Sequence, residues 1–228
     1  MKKLLVTIAA LGLTATAFAE DPAVPNRGVD KVAGEGGVSE VAIAHALADW
    51  GRENESPAAL LAAAEILAAQ PAEEATMEKG EEAGEGEAEE KADEPAPVLV
   101  PEDLVTEAMD TAKGLGQKYL VKHLSKVTLS TRGASGGPKY VVERVNSHST
   151  DYYMVEFQGG SGAEIALSGD GDTDLDLFVY DENGNRIASD TGATDDAYVS
   201  WTPRWTGQFR IEVKNLGGVY NQYVMITN

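Results

Sequence analysis

The chain has 228 residues, no cysteine and a formal net charge of -20 at pH 7. The lack of cysteine excludes disulfides, thiolate metal sites and a cysteine nucleophile. The acidity repels nucleic acid and anionic lipid, and it favours multivalent cations or basic partners.

Met1, Lys2 and Lys3 open the chain with positive charge, residues 4–11 are mainly apolar, and Ala17-Phe18-Ala19 is a small-x-small cleavage pattern. This order predicts an export signal over residues 1–19 and a mature chain that begins near Glu20, in the periplasm or outside the cell. Losing Lys2 and Lys3 takes the charge from -20 to -22. The apolar stretch is shorter than the roughly 20 residues a bilayer span requires, and no later stretch is apolar enough to span. Residues 20–38 read as a disordered lead, with Pro22, Pro25, Gly28, Gly34, Gly36 and Gly37 among few large apolar groups.

Residues 39–126 read as a helical region, interrupted by an acidic segment over 71–97. Ser39 is a candidate cap, and Val41, Ala44, Leu47 and Ala48 share one helical face. Asn54-Glu55-Ser56-Pro57 breaks that helix and starts another, with Ser56 as cap and Pro57 at the first helical position. The second helix is alanine-rich and carries Leu60, Leu61, Ile66 and Leu67. Alanine favours helix but offers little apolar area, so this pair needs a further partner. Residues 71–97 hold many acids against Lys79 and Lys91, in a background of Ala, Gly and Pro, and are expected to be a solvated, disordered linker. A sharper reading makes them a diffuse binder of cations or a basic partner. Over 101–124 a third helix is predicted, started by Pro101-Glu102-Asp103, weakened at Gly114 and Gly116, and folded back on the first two.

Residues 127–138 read as a linker, or a first strand and turn, with a glycine-rich joint at 131–137. That joint lacks the lysine and Ser/Thr spacing of a phosphate loop. Residues 139–228 alternate at period two. Strands are predicted over 140–145, 152–157, 163–167, 174–180, 197–201, 209–214 and 220–226, separated by Gly-Gly and Asn-Gly turns. Short strands at this spacing indicate an all-β sandwich or jelly roll. The fold class is therefore mixed and multidomain: an alanine-rich helical N-terminal region followed by a jelly-roll-like sandwich.

Asp170, Asp172, Asp174 and Asp176 recur at every second residue. In an extended stretch their carboxylates share one face and repel, which a hard cation relieves. Calcium takes six to eight oxygens, and Asp181, Asn183, Asp190, Asp195 and Asp196 offer more. An EF-hand does not fit, because Leu175 stands at its glycine position, Asp181 at its closing glutamate, and a strand follows. Without a cation, the same row reads as a solvated acidic edge that discourages strand-on-strand aggregation.

Residues 174–181, with Asn183-Gly184, Gly207-Gln208-Phe209-Arg210-Ile211-Glu212-Val213 and Tyr220-Asn221-Gln222-Tyr223, resemble the bacterial pre-peptidase C-terminal domain. The likeness covers roughly 139–228. It implies a calcium-associated jelly-roll sandwich of the kind appended to secreted proteases and other exported proteins. Its calcium ligands carry over to Asp174 and Asp176, and less directly to Asp172. The peptidase that usually accompanies such a domain has no counterpart in the front half.

His45, His123 and His148 read as surface or structural residues, since no His-Glu-x-x-His or Gly-x-Ser-x-Gly is present. The adjacency of His148 to Ser147 and Ser149 is not a triad, which is a matter of geometry. Trp201 and Trp205 flank a turn and read either as core or as an exposed platform for a glycan or peptide. The functional expectation is a non-catalytic, calcium-stabilised accessory or interaction protein with a protein or glycan partner. The alternatives are a carbohydrate or peptide binder using Trp201 and Trp205, and, with least support, a secreted hydrolase.

Overall fold

The computed structural model of the protein describes residues 24–30, 37–92, 96–130 and 137–228. The expected export signal and nearly all of the glycine-rich joint lie outside the described residues. Among the described residues four helices come first: α1 (Val38–Glu53), α2 (Pro57–Ala69), α3 (Pro101–Gly114) and α4 (Lys118–Leu124). The break between α1 and α2 falls where the sequence places it. Pro57 opens α2, and the Ser56 hydroxyl accepts a hydrogen bond from the Ala59 amide at 3.4 Å. Ser39 is not a cap; it lies inside the first turn of α1, and Gly37 occupies the cap position. The expected weakness near Gly116 is a full break, with Gly116 at φ 68° between α3 and α4.

Among the described residues the strands form two five-stranded sheets. In chain order they are β1 (Glu73–Glu74), β2 (Lys79–Glu82), β3 (Lys139–Val145), β4 (Thr150–Phe157), β5 (Ala163–Ser168), β6 (Leu175–Tyr180), β7 (Arg186–Asp190), β8 (Ala197–Trp201), β9 (Gly207–Asn215) and β10 (Asn221–Thr227). One sheet runs β1-β3-β10-β5-β8 and the other β2-β4-β9-β6-β7. Their facing sides make the main core. Leu175, Leu177 and Val179 meet Phe209, Ile211 and Val213 there, alongside Ile165, Leu167, Tyr223 and Met225. Fully burying a side chain of this size contributes roughly 1.5–3 kcal/mol.

The helices are not a separate unit. Val38, Val41 and Ala44 of α1, Leu60 and Ala64 of α2, and Leu104 and Ala108 of α3 share a second core with Ala166, Val224 and Ile226 from the outer face of the first sheet. That sheet is covered on both sides, which explains why every residue of β5 is buried. The alanine-rich helices thus find the partner that their small apolar area requires. Fold-back of α3 onto α2 agrees with the sequence reading.

Two expectations of disorder are corrected. Within the acidic segment, β1 pairs in parallel with β3 and β2 pairs antiparallel with β4, so each sheet gains an edge strand from it. The segment's glycines serve close approach: any side chain at Gly80 would collide with the Tyr152 ring, and one at Gly86 with the His148 ring. Residues 24–30 of the lead are also docked. Asn26 is buried, its amide nitrogen donates to Asp181 Oδ2 at 2.9 Å, and its side-chain oxygen accepts from Arg204 and Trp205 amides.

Candidate cation-binding site

The aspartate row is not straight. Asp170, Asp172 and Asp174 lie in the irregular loop between β5 and β6, which bends at Gly171 (φ 90°), whereas Asp176 sits in β6. The bend turns Asp170 inward, so that its side chain is only 4% exposed. Opposite stands the loop between β7 and β8. Gly169 donates to the Asp195 carbonyl at 3.1 Å and Leu175 to the Thr194 carbonyl at 3.3 Å. The Asp195 carboxylate accepts from the Gly171 amide and, at 3.3 Å, from Asn221 Nδ2. Buried Asn221, at the start of β10, also donates to Thr173 Oγ1 at 3.1 Å and accepts from the Asp170 amide at 3.4 Å. Asn221 therefore ties both loops to the central strand of the first sheet.

These loops and α1 enclose a cavity of about 650 Å3, lined by Asp170, Asp172, Asp174, Asp195 and Asp196 together with Asp49, Arg52 and Glu53. Asp176 is outside it. It faces the solvent side of the second sheet, in register with Lys214. Burial and the nearby Asp174 hold its carboxyl above the usual range. Asp181 and Asn183 are also elsewhere: Asp181 accepts from Asn26, Asn183 and Asn185, and these bonds outweigh burial and hold its carboxyl low. Asp190 closes the turn before β8 by accepting from the Tyr198 and Gly192 amides. Of the nine expected oxygen donors, the fold gathers Asp170, Asp172, Asp174, Asp195 and Asp196. Sequence reading missed Asn221, Asp49 and Glu53, which come from elements distant along the chain.

The gathered donors are carboxylate oxygens. Asp170 Oδ1 and Asp174 Oδ1 are buried and accept no hydrogen bond, an arrangement that costs stability unless a positive group meets them. Among the described residues, no group of three or more His, Cys, Asp or Glu is placed to hold a metal ion. Arg52 lines the cavity, and Lys91, from the acidic segment, meets two of its carboxylates. Its ammonium donates to Asp170 Oδ2 at 2.6 Å and pairs with Asp172.

A smaller, mainly apolar cavity of about 370 Å3 lies between α1 and β5 and β8, with His45, Ser168 and Asp196 at its polar end. Burial, aided by Arg52, lowers the His45 pKa to about 4. Burial, with Asp49 and Asp195, raises that of Asp196 to about 6 against a hydrogen bond from Ser168. The two act in opposite senses over one pH window. A buried neutral histidine makes the folded state lose stability as pH falls from its unfolded value of 6.5 toward 4. An aspartate with a raised pKa makes it gain stability as pH falls from about 6 toward 3.8. Relative to wild type, His45→Gln is expected to become more stable on acidification from pH 6.5 to 4.5, and Asp196→Asn less stable. Urea unfolding at both pH values checks this, and identical pH slopes in all three proteins would refute it.

Neither the paired tryptophan platform nor a serine–histidine site is assembled. Trp201 is 2% exposed in the sandwich core, while half-buried Trp205 donates through Nε1 to Glu182 at 2.6 Å. His148 occupies a left-handed turn (φ 54°), and Ser149 Oγ donates to the Ser147 carbonyl. Among the described residues, no helix is long and apolar enough to cross a membrane.

No family model matches the chain. No curated protein matches it either. Among solved structures, it is similar to the g-type lysozyme inhibitor PliG of Aeromonas hydrophila (10% identity, TM-score 0.32, covering 40% of this chain and 84% of that one). It is similar to the pre-peptidase C-terminal domain of Bacillus anthracis collagenase at 13% identity and a TM-score of 0.25, over 42% of this chain and 80% of that one. A third likeness is to the Yersinia pseudotuberculosis-derived mitogen (12%, 0.29, over 40% and 85%). The likeness to the pre-peptidase C-terminal fold is thus weak and partial, and similarities at this distance assign no function.

Proposed function

We propose that this is an exported, non-catalytic accessory or interaction protein whose jelly-roll-like sandwich is stabilised by calcium. One observation carries the reading: Asp170 Oδ1 and Asp174 Oδ1 are buried without a donor, on the wall of a cavity that Asp172, Asp195 and Asp196 also line. Asp170 and Asp174 would hold the ion, with Asp172 and Asp195 beside them. Calcium there supplies charge that offsets carboxylate repulsion. Asn221 fixes the spacing of the two loops, so the folded sandwich presents the carboxylates together and the unfolded chain does not. A ligand bound only by the folded state stabilises it, by about 2.7 kcal/mol at a hundred times its Kd. Export is read from residues 1–19, and N-terminal sequencing of the exported protein is expected to begin near Glu20.

The test is calorimetric titration with calcium, paired with thermal unfolding in millimolar calcium and in chelator. Wild type is expected to bind calcium and melt higher with it. Asp174→Asn removes one repelling charge and one ligand together. It is expected to melt at or above wild type in chelator, yet gain little from calcium. Magnesium, which demands a tighter octahedron and sheds water reluctantly, is expected to do less. No heat of binding and one melting temperature in both buffers would remove the reading.

A further inference from the structure

The geometry points to Lys91 as a tethered competitor for this cation: the strap over residues 84–92 is seated while its lysine neutralises Asp170 and Asp172, and it lifts when a divalent ion takes those carboxylates. The inference rests on the calcium reading above. The Lys91 side chain is 8% exposed, clasped by Asp170 and Asp172, with the Tyr220 ring 4.5 Å from the ammonium. This is a built cation position, not a surface contact. Yet the occupant is mismatched. One ammonium brings a single charge to two carboxylates, and it leaves Asp170 Oδ1, on a side chain itself 4% exposed, without a donor. A divalent ion brings twice the charge and satisfies more oxygens.

The strap is also easy to release. Besides Lys91 and the glycines over His148, its contacts among the described residues include Glu89 N donating to the Gly218 carbonyl at 2.8 Å and Tyr220 OH donating to the Ala92 carbonyl at 2.7 Å. Residues 84–90 are exposed and bury no apolar side chain. Glu85, Glu87, Glu89 and Glu90 accompany the single lysine, so without its ion pair the strap is an acidic segment beside an acidic notch. The other lysine of the segment differs. Lys79 sits in β2, whose backbone is hydrogen-bonded to β4, and that end stays attached.

The chain has no cysteine, so Ala88→Cys accepts one nitroxide label cleanly. Calcium is expected to sharpen the spin-label spectrum of the otherwise wild-type protein. Lys91→Met is expected to bind calcium about tenfold more tightly, since its site has no occupant to expel, and to give a mobile label before calcium is added. Calcium binding with an unchanged, immobile label, and equal affinity in Lys91→Met, overturns the exchange and leaves the calcium site standing. Absence of calcium binding in both proteins overturns the exchange and the calcium reading together. If Lys91→Met does not fold, the label on the wild-type background decides: mobilised by calcium supports the exchange, unmoved refutes it.

Discussion

Lys79→Met is expected to destabilise the protein by about 3–5 kcal/mol, the cost of removing one partner from a buried ion pair. Asp151 of β4 has a side chain that is 0% exposed. Its Oδ2 accepts from Lys79 Nζ at 3.1 Å and from Tyr223 OH at 2.8 Å, and Tyr223 OH lies 2.5 Å from Tyr153 OH. Its Oδ1 already lacks a donor. Burial pushes the Asp151 carboxyl above its usual range, although Tyr223 and Lys79 both pull it down. Lys79 is held charged by Asp151 and Glu143 against its own partial burial. Without the lysine the carboxyl moves further up, and the variant takes up a proton on folding. A raised carboxyl pKa yields stability that is present in acid and lost as pH rises, so the deficit is expected to be largest near neutrality and smallest near pH 4. Lys79→Met with Asp151→Asn removes both charges and is expected to recover much of the loss. Urea unfolding of the three proteins at two pH values is the measurement. A single variant within about 1 kcal/mol of wild type would mean that the pair is solvated, and that β2 does not close the sheet edge over it.

That pair also marks what the sequence could and could not disclose. The period-two pattern of Phe209, Ile211 and Val213, and of Leu175, Leu177 and Val179, fixes which face of each strand is inside, because the side-chain repeat of a strand leaves no choice. The Ser56-Pro57 start of α2 is local chemistry and was equally legible. β7 was not, since Arg186-Ile187-Ala188-Ser189-Asp190 has one large apolar residue and draws its pairing from β6. The acidic segment hid two strands for a different reason. Its composition measures what it can bury, which is little, but its binding depends on two lysines that meet Asp151 and Asp170 about 70 to 80 residues away. Long-range ion pairs leave no periodicity. The site was half legible: the spacing picked out Asp170, Asp172 and Asp174, but extended geometry misplaced Asp176, since Gly171 bends the loop. Asn221, Asp49 and Glu53 enter through tertiary contact alone.

Trp201→Ala is expected to cost about 3–5 kcal/mol, the range for large core aromatics. The ring sits edge-on to Phe157, with centroids 4.8 Å apart at 73°, and 5.4 Å from Phe209; Phe157 and Phe209 are themselves 5.8 Å apart at 75°. Such pairs add about 0.5–1.5 kcal/mol each beyond area burial. Trp201 ends β8, an edge strand paired with β5 through Ala163, so the cavity opens where the sheet has a single neighbour to brace it. Trp201→Phe is expected to cost far less. It keeps an aromatic ring and discards Nε1, a buried donor with no acceptor. Trp205→Ala loses mainly the hydrogen bond to Glu182 and is expected to cost on the order of 1 kcal/mol. An exposed ligand platform predicts another order: both alanine variants near wild type in stability, and both impaired in glycan or peptide binding. Chemical denaturation of the three variants separates the two accounts. A Trp201→Ala protein as stable as Trp205→Ala would move the indole out of the core and return the paired-tryptophan surface to consideration.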